Sequence, residues 1–508
     1  MPFPEPAPPI NLKNLKINPY IFKKVPARFA CHYKIMPIEF KEDVLTVAME
    51  DPLNVNMLDD IGLFLGLKII PVFAGLSDIS EAIEKHYGLG AETIEKIIDK
   101  TPLDTEAIQD RSTEDIETLA EDASIIRFVN QLLVQGFKDR ATDIHIEPYE
   151  DELQVRYRID GILYVTPIPP NMKYFQPAII SRIKIMANLD IAERRLPHDG
   201  RIKVKIGENE LDLRISILPT PHGESVDIRL LSTTMLYSLE NLGLSQNDIQ
   251  ILEGLIKRPH GIIFVTGPTG SGKTTTLYAC LSKINNKERK IITIEDPIEY
   301  QIKGITQIQV HPKIGLSFAT GLRSMLRHDP DIMMVGEVRD FETAEITIRV
   351  ALTGHLVFST LHTNDAVGSI TRLLDMGVEP YLVASSVECF VAQRLVRLIC
   401  PACKIQIKPR KEILNEFDIE NNMYNTSIYE GKGCESCKFT GYKGRTAIYE
   451  FLVVNEEIRD MVLNGTSSDQ IKKKALESGM HTLRMDGWEK IKRGLTTIDE
   501  VIRVTKED

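Results

Sequence analysis

The order of apolar and polar positions divides the chain into segments of different periodicity. Four runs in its second half are apolar without alternation, which is typical of strands buried on both faces of a parallel sheet. They cover residues 261–267, 291–296, 332–337 and 356–362. Segments with helical spacing lie between these runs, so the pattern predicts an α/β core of alternating strands and helices over residues 236–395.

A smaller α/β domain is predicted over residues 1–90. Apolar strands at 44–50 and 67–74 are each followed by a helical pattern. The first helix should begin near Val55, and the second, at 78–87, should have Asp78 as its N-terminal cap.

A second α/β domain is predicted over residues 124–235. It opens with a helix in which Ile125, Val129 and Leu132 recur at helical spacing. Strand-like segments follow at 143–148, 152–159, 201–206 and 210–217. Between the two domains, residues 91–123 contain 11 acidic and 3 basic side chains and no clear apolar pattern after Thr101. A solvated linker explains this segment better than an acidic binding tail.

Composition and charge limit the classes of function. The chain of 508 residues is 43% hydrophobic and 26% charged, which is typical of a multidomain globular protein. Its net charge of −11 argues against a general nucleic-acid binder. We find neither a signal peptide at the start nor an apolar run of about 18 residues, so a cytoplasmic protein is expected.

A phosphate-binding loop follows the first core strand. The segment GPTGSGKTTT, residues 267–276, matches GxxxxGK[ST] between a strand and a helix, which is the context that the motif requires. The glycines let backbone N–H groups face phosphates, Lys273 places a charge near the β and γ oxygens, and Thr274 ligates Mg²⁺. The predicted nucleotide-binding residues are Gly267, Pro268, Thr269, Gly270, Ser271, Gly272, Lys273, Thr274 and Thr275.

Acidic and histidine residues stand at the ends of three other core strands. Ligands bind at the carboxyl ends of parallel strands, so these groups are expected to converge on the phosphates. Glu295, near Asp296 and Glu299, is expected to hold a magnesium-bound water, and Glu337 to act as base or to position water. His362 is expected to contact the γ-phosphate, and His355 stands at the other end of the same strand. The Walker B aspartate is missing, because Gly336 takes its place.

Four cysteines form two CxxC pairs that are separated by 30 residues. Two such turns can make a closed tetrahedral site for a structural Zn²⁺. The pairs are Cys400 with Cys403 and Cys434 with Cys437. Unmetallated buried pairs or disulfides are the alternative. We predict a tetracysteine zinc subdomain at 396–442 and a C-terminal helical region at 443–508.

Four motifs stand in an order that resembles the ATPases of type II secretion and type IV pilus assembly. They are the Walker A loop, an Asp box (TIEDPIEY, 293–300), a Walker B with glycine before glutamate (DIMMVGEVRD, 331–340) and a His box (TGHLVFSTLHTNDA, 353–366). The resemblance covers essentially the whole chain. It implies a RecA-like P-loop ATPase core with two N-terminal α/β domains, the second PAS-like, and ATP, Mg²⁺ and structural Zn²⁺ as cofactors. Gly336 is then a family trait.

The resemblance also implies how the protein works. It implies a homohexamer in which arginines reach the nucleotide or the subunit interface, chiefly Arg214 and Arg229, with Arg323, Arg327 and Arg339 as further candidates. Each arginine has a surface salt bridge as its alternative. The first domain is expected to dock on the cytoplasmic part of an inner-membrane partner, and a platform protein is a second partner. We expect a cytoplasmic motor at the inner membrane that drives pseudopilus assembly and protein export, and no binding of nucleic acid.

Three other functions are alternatives to secretion. A type IV or competence pilus assembly ATPase is nearly the same machine. A DNA-translocating motor is disfavoured by the acidic balance, and a non-catalytic nucleotide-binding scaffold by the intact Lys273 and Glu337.

Overall fold

The computed structural model describes most of the chain and divides it into two compact units, Met1–Thr233 and Thr234–Asp508. The described residues are 10, 12, 15, 17, 18, 20–25, 27–88, 122–232, 238–408 and 427–505. The predicted acidic linker lies outside them except for its last two residues, of which Asp122 caps the helix that follows.

The first unit begins with a three-stranded sheet of order β1-β2-β3. The strands are β1 (Met36–Lys41), β2 (Val44–Met49) and β3 (Lys68–Phe73), and the helices are α1 (Tyr20–Lys24), α2 (Ala27–His32), α3 (Val55–Leu65) and α4 (Leu76–Tyr87). Asn54 caps α3 by accepting the amide of Met57. The prediction that Asp78 caps the next helix is wrong, because α4 starts two residues earlier with Gly75 at its cap and Asp78 lies in its first turn.

The same unit contains a six-stranded antiparallel sheet of order β6-β5-β4-β9-β8-β7. Its strands are β4 (Ala141–Pro148), β5 (Leu153–Ile159), β6 (Ile162–Thr166), β7 (His198–Ile206), β8 (Asn209–Thr220) and β9 (Gly223–Ser232). Helices α5 (Ala123–Lys138) and α6 (Gln176–Met186), with a short 3₁₀ turn at Pro170–Phe175, complete the domain. Phe128, Ile144, Tyr157 and Ile179 belong to one buried apolar cluster, so helices and sheet share a core.

The second unit is built on a seven-stranded sheet of order β12-β11-β13-β14-β10-β15-β18. Its strands are β10 (Gly261–Thr266), β11 (Ile291–Glu295), β12 (Thr306–Gln309), β13 (Ile332–Val335), β14 (Leu356–Leu361), β15 (Val387–Ile399) and β18 (Tyr442–Val453). The four predicted core strands are confirmed as β10, β11, β13 and β14, and they pair in parallel. Strand β18 closes the sheet antiparallel to β15.

Helices cover both faces of this sheet. They are α7 (Gln246–Leu255), α8 (Lys273–Ile284), α9 (Phe318–Met325), α10 (Phe341–Leu352), α11 (Ala366–Asp375), α12 (Pro380–Ser386), α13 (Glu456–Leu463), α14 (Ser468–Glu477), α15 (Leu483–Lys492) and α16 (Ile498–Thr505). Short 3₁₀ turns lie at Leu239–Leu242, Pro312–Ile314, Leu326–His328 and Glu435–Cys437. Successive residues of β10 enter different clusters, Ile262 on one face and Ile263 on the other, because side chains alternate along a strand.

A two-stranded hairpin lies between the last two strands of the large sheet. It pairs β16 (Lys404–Ile407) with β17 (Ile428–Gly431). The region predicted to be helical from residue 443 opens instead with most of β18, and helices follow from Glu456. The α/β architecture predicted from the sequence is confirmed.

Candidate functional site

The phosphate loop connects β10 to α8 and depends on glycine at defined positions. Gly267, Gly270 and Gly272 have φ values of 146°, 79° and 88°, which residues with a side chain rarely adopt. A Cβ on Gly267 would lie 2.5 Å from the backbone oxygen of Gln393. The loop can therefore turn beneath the start of α8 only with these residues, and its backbone faces the helix N-terminus where phosphates bind.

Two polar side chains of the loop lack an anionic partner of their own. The Lys273 ammonium donates to the carbonyl oxygens of Gly267 at 2.7 Å and Pro268 at 3.2 Å. The hydroxyl of Ser271 is buried and without a hydrogen-bond partner. Burial lowers the pKa of Lys273 to about 8; the Glu337 carboxylate opposes this shift and the Arg394 guanidinium adds to it. The loop thus has unsatisfied binding capacity for an anion.

Gly336 lies where β13 meets β11, and a side chain there would be tightly packed against that strand. Its N–H donates to the oxygen of Ile294 at 2.8 Å. A Cβ would lie 3.3 Å from both Ile294 O and Glu295 Cα, and 3.5 Å from the ring of Phe318. The backbone of the neighbouring strand therefore crowds the position at which the usual Walker B aspartate would begin.

Glu337 follows at once and is held by two cationic or polar partners. One of its carboxylate oxygens lies 2.6 Å from Arg339 Nη2, and the other lies 3.2 Å from His362 Nε2. Glu337 and the phosphate loop both follow the carboxyl ends of parallel strands, β13 and β10, which lie on either side of β14. Glu337 and His362 thus lie together at the end of the sheet where the phosphate loop begins.

Glu295 ends β11 inside a polar network and is only 3% exposed. Its carboxylate accepts hydrogen bonds from the Tyr278 hydroxyl, from Thr293 Oγ1 at 2.6 Å and from Gln307 Nε2 at 3.1 Å. Burial raises the pKa of Glu295, and the three donors oppose that rise. Tyr278 belongs to α8, so Glu295 contacts the helix that begins with Lys273 and Thr274.

The two histidines of the His box lie at opposite ends of the central strand β14. His362 follows the last residue of β14, on the side of the phosphate loop. His355 precedes the first residue, and its carbonyl accepts the amide of Gly261 at the start of β10. Convergence of His355 on the phosphates is therefore wrong, because it stands at the amino end of a parallel strand.

Strand β15 contributes two residues that the sequence did not point to. Gln393 accepts from Thr276 Oγ1 at 2.8 Å, and its backbone oxygen lies against Gly267. Arg394 is 7% exposed, and its Nη2 donates to the backbone oxygen of Asn364 at 2.8 Å. The segment VAQRLVR gave no signal for either residue, since a mixed run of this kind fits helix and strand alike.

The candidate arginines lie in both units. Arg214 and Arg229 face each other across β8 and β9 in the first unit. Arg229 Nε donates to Asp143 at 2.8 Å, while its side chain is 55% exposed. In the second unit, Arg323 pairs with Glu342 at 2.6 Å and Arg339 with Glu337, and Arg327 donates to the backbone oxygen of Arg323 at 3.0 Å.

The four predicted cysteines converge at the mouth of the hairpin, and none of them is in a disulfide. All four sulfur atoms lie within 4.8 Å of one another. The Sγ atoms of Cys400 and Cys434 are 3.9 Å apart, and those of Cys434 and Cys437 are 3.8 Å apart. A tetrahedron with Zn–S bonds of about 2.3 Å requires sulfur separations of about 3.8 Å, so the cluster fits a zinc ion.

Amide donors prepare one of these sulfurs for a cation. The N–H groups of Cys434 and Gly441 lie 3.2 and 3.3 Å from Cys437 Sγ. Burial raises the pKa of Cys437, but these amides, together with hydrogen bonds to the thiols of Cys434 and Cys403, bring it to about 6. A thiolate is the form that binds metal.

None of the helices in the described ranges has the length and apolar character needed to cross a membrane.

Comparison with known proteins gives relatives along the full chain. The family described as type II/IV secretion system protein matches residues 118–503, and an MshEN domain matches residues 1–93. The type IV pilus assembly ATPase PilB of Myxococcus xanthus is 45% identical over 99% of this chain and 89% of its own length. The type II secretion system protein E of Xanthomonas campestris is 46% identical over 94% of this chain and 84% of its own.

Solved structures agree with this assignment. The pilus retraction motor PilT with bound ADP is 27% identical, with a TM-score of 0.50 over 73% of this chain and 95% of its own. The ATPase DotB of Legionella pneumophila, 22% identical, shares the fold with a TM-score of 0.56 over 75% of this chain and 96% of its own. The phosphate loop with Lys273, the Glu337–His362 pair beside it and these relatives lead to one conclusion: the chain belongs to the type II/IV secretion system protein family and is an ATPase.

Proposed function

We propose that the chain powers a type II secretion system by hydrolysing ATP, so that pseudopilus subunits assemble and proteins are exported. The observation that carries this proposal is that the phosphate loop with Lys273, Glu337 and His362 follow the carboxyl ends of three neighbouring parallel strands, with Glu337 and His362 3.2 Å apart. Relatives named type II secretion system protein E from Xanthomonas campestris and Pseudomonas aeruginosa, both 46% identical, support the secretion role.

ATP with Mg²⁺ is the cofactor pair that an ATPase of this family implies, and the phosphate loop fits it. The unpartnered Ser271 hydroxyl and the Lys273 ammonium, bound only to loop carbonyls, are groups that a triphosphate would satisfy. We assign Thr274 to the metal as a direct ligand and Glu295 through a water molecule. Glu295 already accepts from three protein donors, so it would orient that water from a fixed position.

Glu337 is proposed to position the attacking water and accept its proton. Its carboxylate lies at the strand end that faces Lys273, while Arg339 and His362 hold its two oxygens. His362 lies beside Glu337, and we propose that it contacts the γ-phosphate. Magnesium would neutralise charge on the phosphate oxygens.

The working form is proposed to be a cytoplasmic homohexamer at the inner face of the membrane. Arg214 and Arg229 would supply positive charge at the nucleotide or the subunit interface, and Arg229 keeps more than half of its side chain exposed for that contact. The domain at residues 1–90 would dock on an inner-membrane partner, and a platform protein would receive the motion. No nucleic acid is part of this function.

A structural zinc ion is proposed at Cys400, Cys403, Cys434 and Cys437. The sulfur separations and the amide donors to Cys437 support it. All four ligands come from the protein, so the site would be closed and without a catalytic position.

Assembly of a type IV pilus is the second candidate. The Myxococcus xanthus relative that covers 99% of this chain carries that name. Complementation separates the two roles: the gene should restore protein export to a secretion mutant lacking its own ATPase, and restored piliation without export would favour the alternative.

Purified protein tests the chemistry. The wild type should release phosphate from MgATP, and Glu337→Gln should bind ATP with similar affinity and hydrolyse it about 10²–10⁴-fold more slowly. Exposed Glu342→Gln is the matched control and should keep wild-type turnover, since its carboxylate pairs with Arg323 on the surface. Equal turnover by Glu337→Gln and wild type would remove Glu337 from the mechanism.

A further inference from the structure

Arg394 lies where two loops of the nucleotide site meet. It belongs to β15, in which Ala392 pairs with Thr266, the last residue of β10. Its Nη1 is 3.1 Å from the position that a Cβ on Gly267 would take. The guanidinium therefore rests against the first glycine of the phosphate loop.

The same guanidinium holds the loop that follows β14. Its Nη2 donates to the backbone oxygen of Asn364 at 2.8 Å and to Asn364 Oδ1 at 3.3 Å. Asn364 stands two residues after His362, so the position of this backbone oxygen fixes the path of the His362 loop. The planar fork of arginine spans the two loops, because Nη2 binds Asn364 while Nη1 lies against Gly267 and donates to the backbone oxygen of Gln393 at 3.4 Å. The single nitrogen of a lysine cannot reach both places at once.

A second tie joins the same two loops from the neighbouring strand. Thr266 Oγ1 accepts the amide of Thr363 at 2.9 Å and lies 2.6 Å from Thr363 Oγ1. Arg394 and Thr266 thus connect the start of the phosphate loop to the two residues that follow His362. Both ties are partly buried, since Arg394 is 7% exposed and Thr266 is fully buried.

We propose that Arg394 is a positioning residue for ATP hydrolysis. It fixes the His362 loop to the phosphate loop, so that His362 and Glu337 keep their place over the bound triphosphate. This inference rests on the proposed ATPase mechanism and adds a residue to it. Removal of Arg394 should loosen His362 without removing any group that binds phosphate.

Arg394→Met tests this proposal because methionine fills much of the volume without the fork. The expected result is a fall in kcat of about 10- to 100-fold, since a displacement near 1 Å at a reacting centre has that effect. The Kd for a non-hydrolysable ATP analogue should change less than about threefold, because the phosphate loop stays intact. Arg394→Lys should not restore kcat. Full recovery by lysine would show that charge alone matters and would overturn the positioning role.

A double-mutant cycle with His362→Ala gives the specific readout. If Arg394 acts through His362, the double variant should turn over no slower than the worse single variant, within about threefold. Multiplying effects would overturn the proposal, as would wild-type kcat in Arg394→Met.

Arg397→Met is the matched control for general structural damage. This arginine lies three residues along the same strand, is 14% exposed and pairs with Glu500 at 2.7 Å, away from the nucleotide loops. Arg397→Met should lower thermal stability but leave kcat within about twofold of wild type. An equal loss of kcat in both arginine variants would show that the effect of Arg394 is merely structural. The two proposals can fail separately. If the wild type hydrolyses ATP and Glu337→Gln does not, the proposed function holds even when the double-mutant cycle excludes a positioning role for Arg394.

Discussion

Substitution of Gly336 by alanine is expected to destabilise the second unit, although it adds only one methyl group. The added Cβ would lie 3.3 Å from Glu295 Cα and from Ile294 O, which are both backbone atoms of β11. A backbone strand cannot rotate away as a side chain can, and the Gly336 amide is itself bonded to Ile294 at 2.8 Å. We expect a loss of about 1–3 kcal/mol, the range for overpacking.

Thermal melting and ATP turnover measure this effect. A loss of this size should lower Tm by about 2–4 °C for each kcal/mol in a unit of this length. Displacement of β11 by a few tenths of an ångström also moves Glu295, so kcat should fall several-fold. Gly336→Asp should be worse than alanine, because it adds a carboxylate beside Glu295 and Glu337.

Gly254→Ala is the control for the glycine change itself. Gly254 lies inside α7 with open space around a Cβ, so alanine there should raise stability by about 0.5–1 kcal/mol. If Gly336→Ala has the same Tm and the same turnover as the wild type, β11 does not crowd a side chain at this position.

Three other predictions follow from single contacts. Tyr278→Phe removes a hydroxyl donor from the buried Glu295 carboxylate, so denaturant unfolding should show a loss of about 1.5–3 kcal/mol; an unchanged midpoint would contradict the network. The Kd for ATP should rise by up to about tenfold per pH unit above pH 8. Phosphates bind protonated Lys273, whose pKa is lowered to about 8, so binding above that pH requires proton uptake. A Kd that stays constant in fluorescence titrations from pH 7 to 9.5 would disprove this. Cys403→Ser should reduce the zinc content measured by atomic absorption from about one ion per chain to near zero and lower Tm, and equal zinc in both proteins would exclude the quartet as the site.

Sequence patterns predicted the strands of the second unit that are buried on both faces. Strands β10, β11, β13 and β14 read as unbroken apolar runs because parallel core strands contact helices on each side. Strand β12 was not predicted, because its sequence, TQIQ, is short and polar and lies at the edge of the sheet. Strand β18 was hidden too, since YKGRTAIYEFLV mixes charges with apolar residues and pairs with β15 only through the tertiary fold.

The candidate site shows the same division. Lys273 and Glu337 were predictable because each stands in a motif directly after a core strand. Arg394 was not, because its relation to Gly267 and Asn364 arises from the pairing of β15 with β10, which joins residues over 100 positions apart. Likewise, the His box groups His355 with His362, but the direction of β14 puts the two histidines at opposite ends of that strand.

The pairing of β15 with β18 has a consequence for how this chain can vary. Cys400 directly follows the end of β15, and Cys434 and Cys437 stand shortly before the start of β18. The hairpin of β16 and β17 thus leaves and rejoins the sheet at a base where the two pairs of cysteines meet. Insertions or deletions there would not change the spacing of the strands that carry the nucleotide loops. The hairpin is therefore a place where the length of the chain can change while the pairing of the strands around the nucleotide site stays the same.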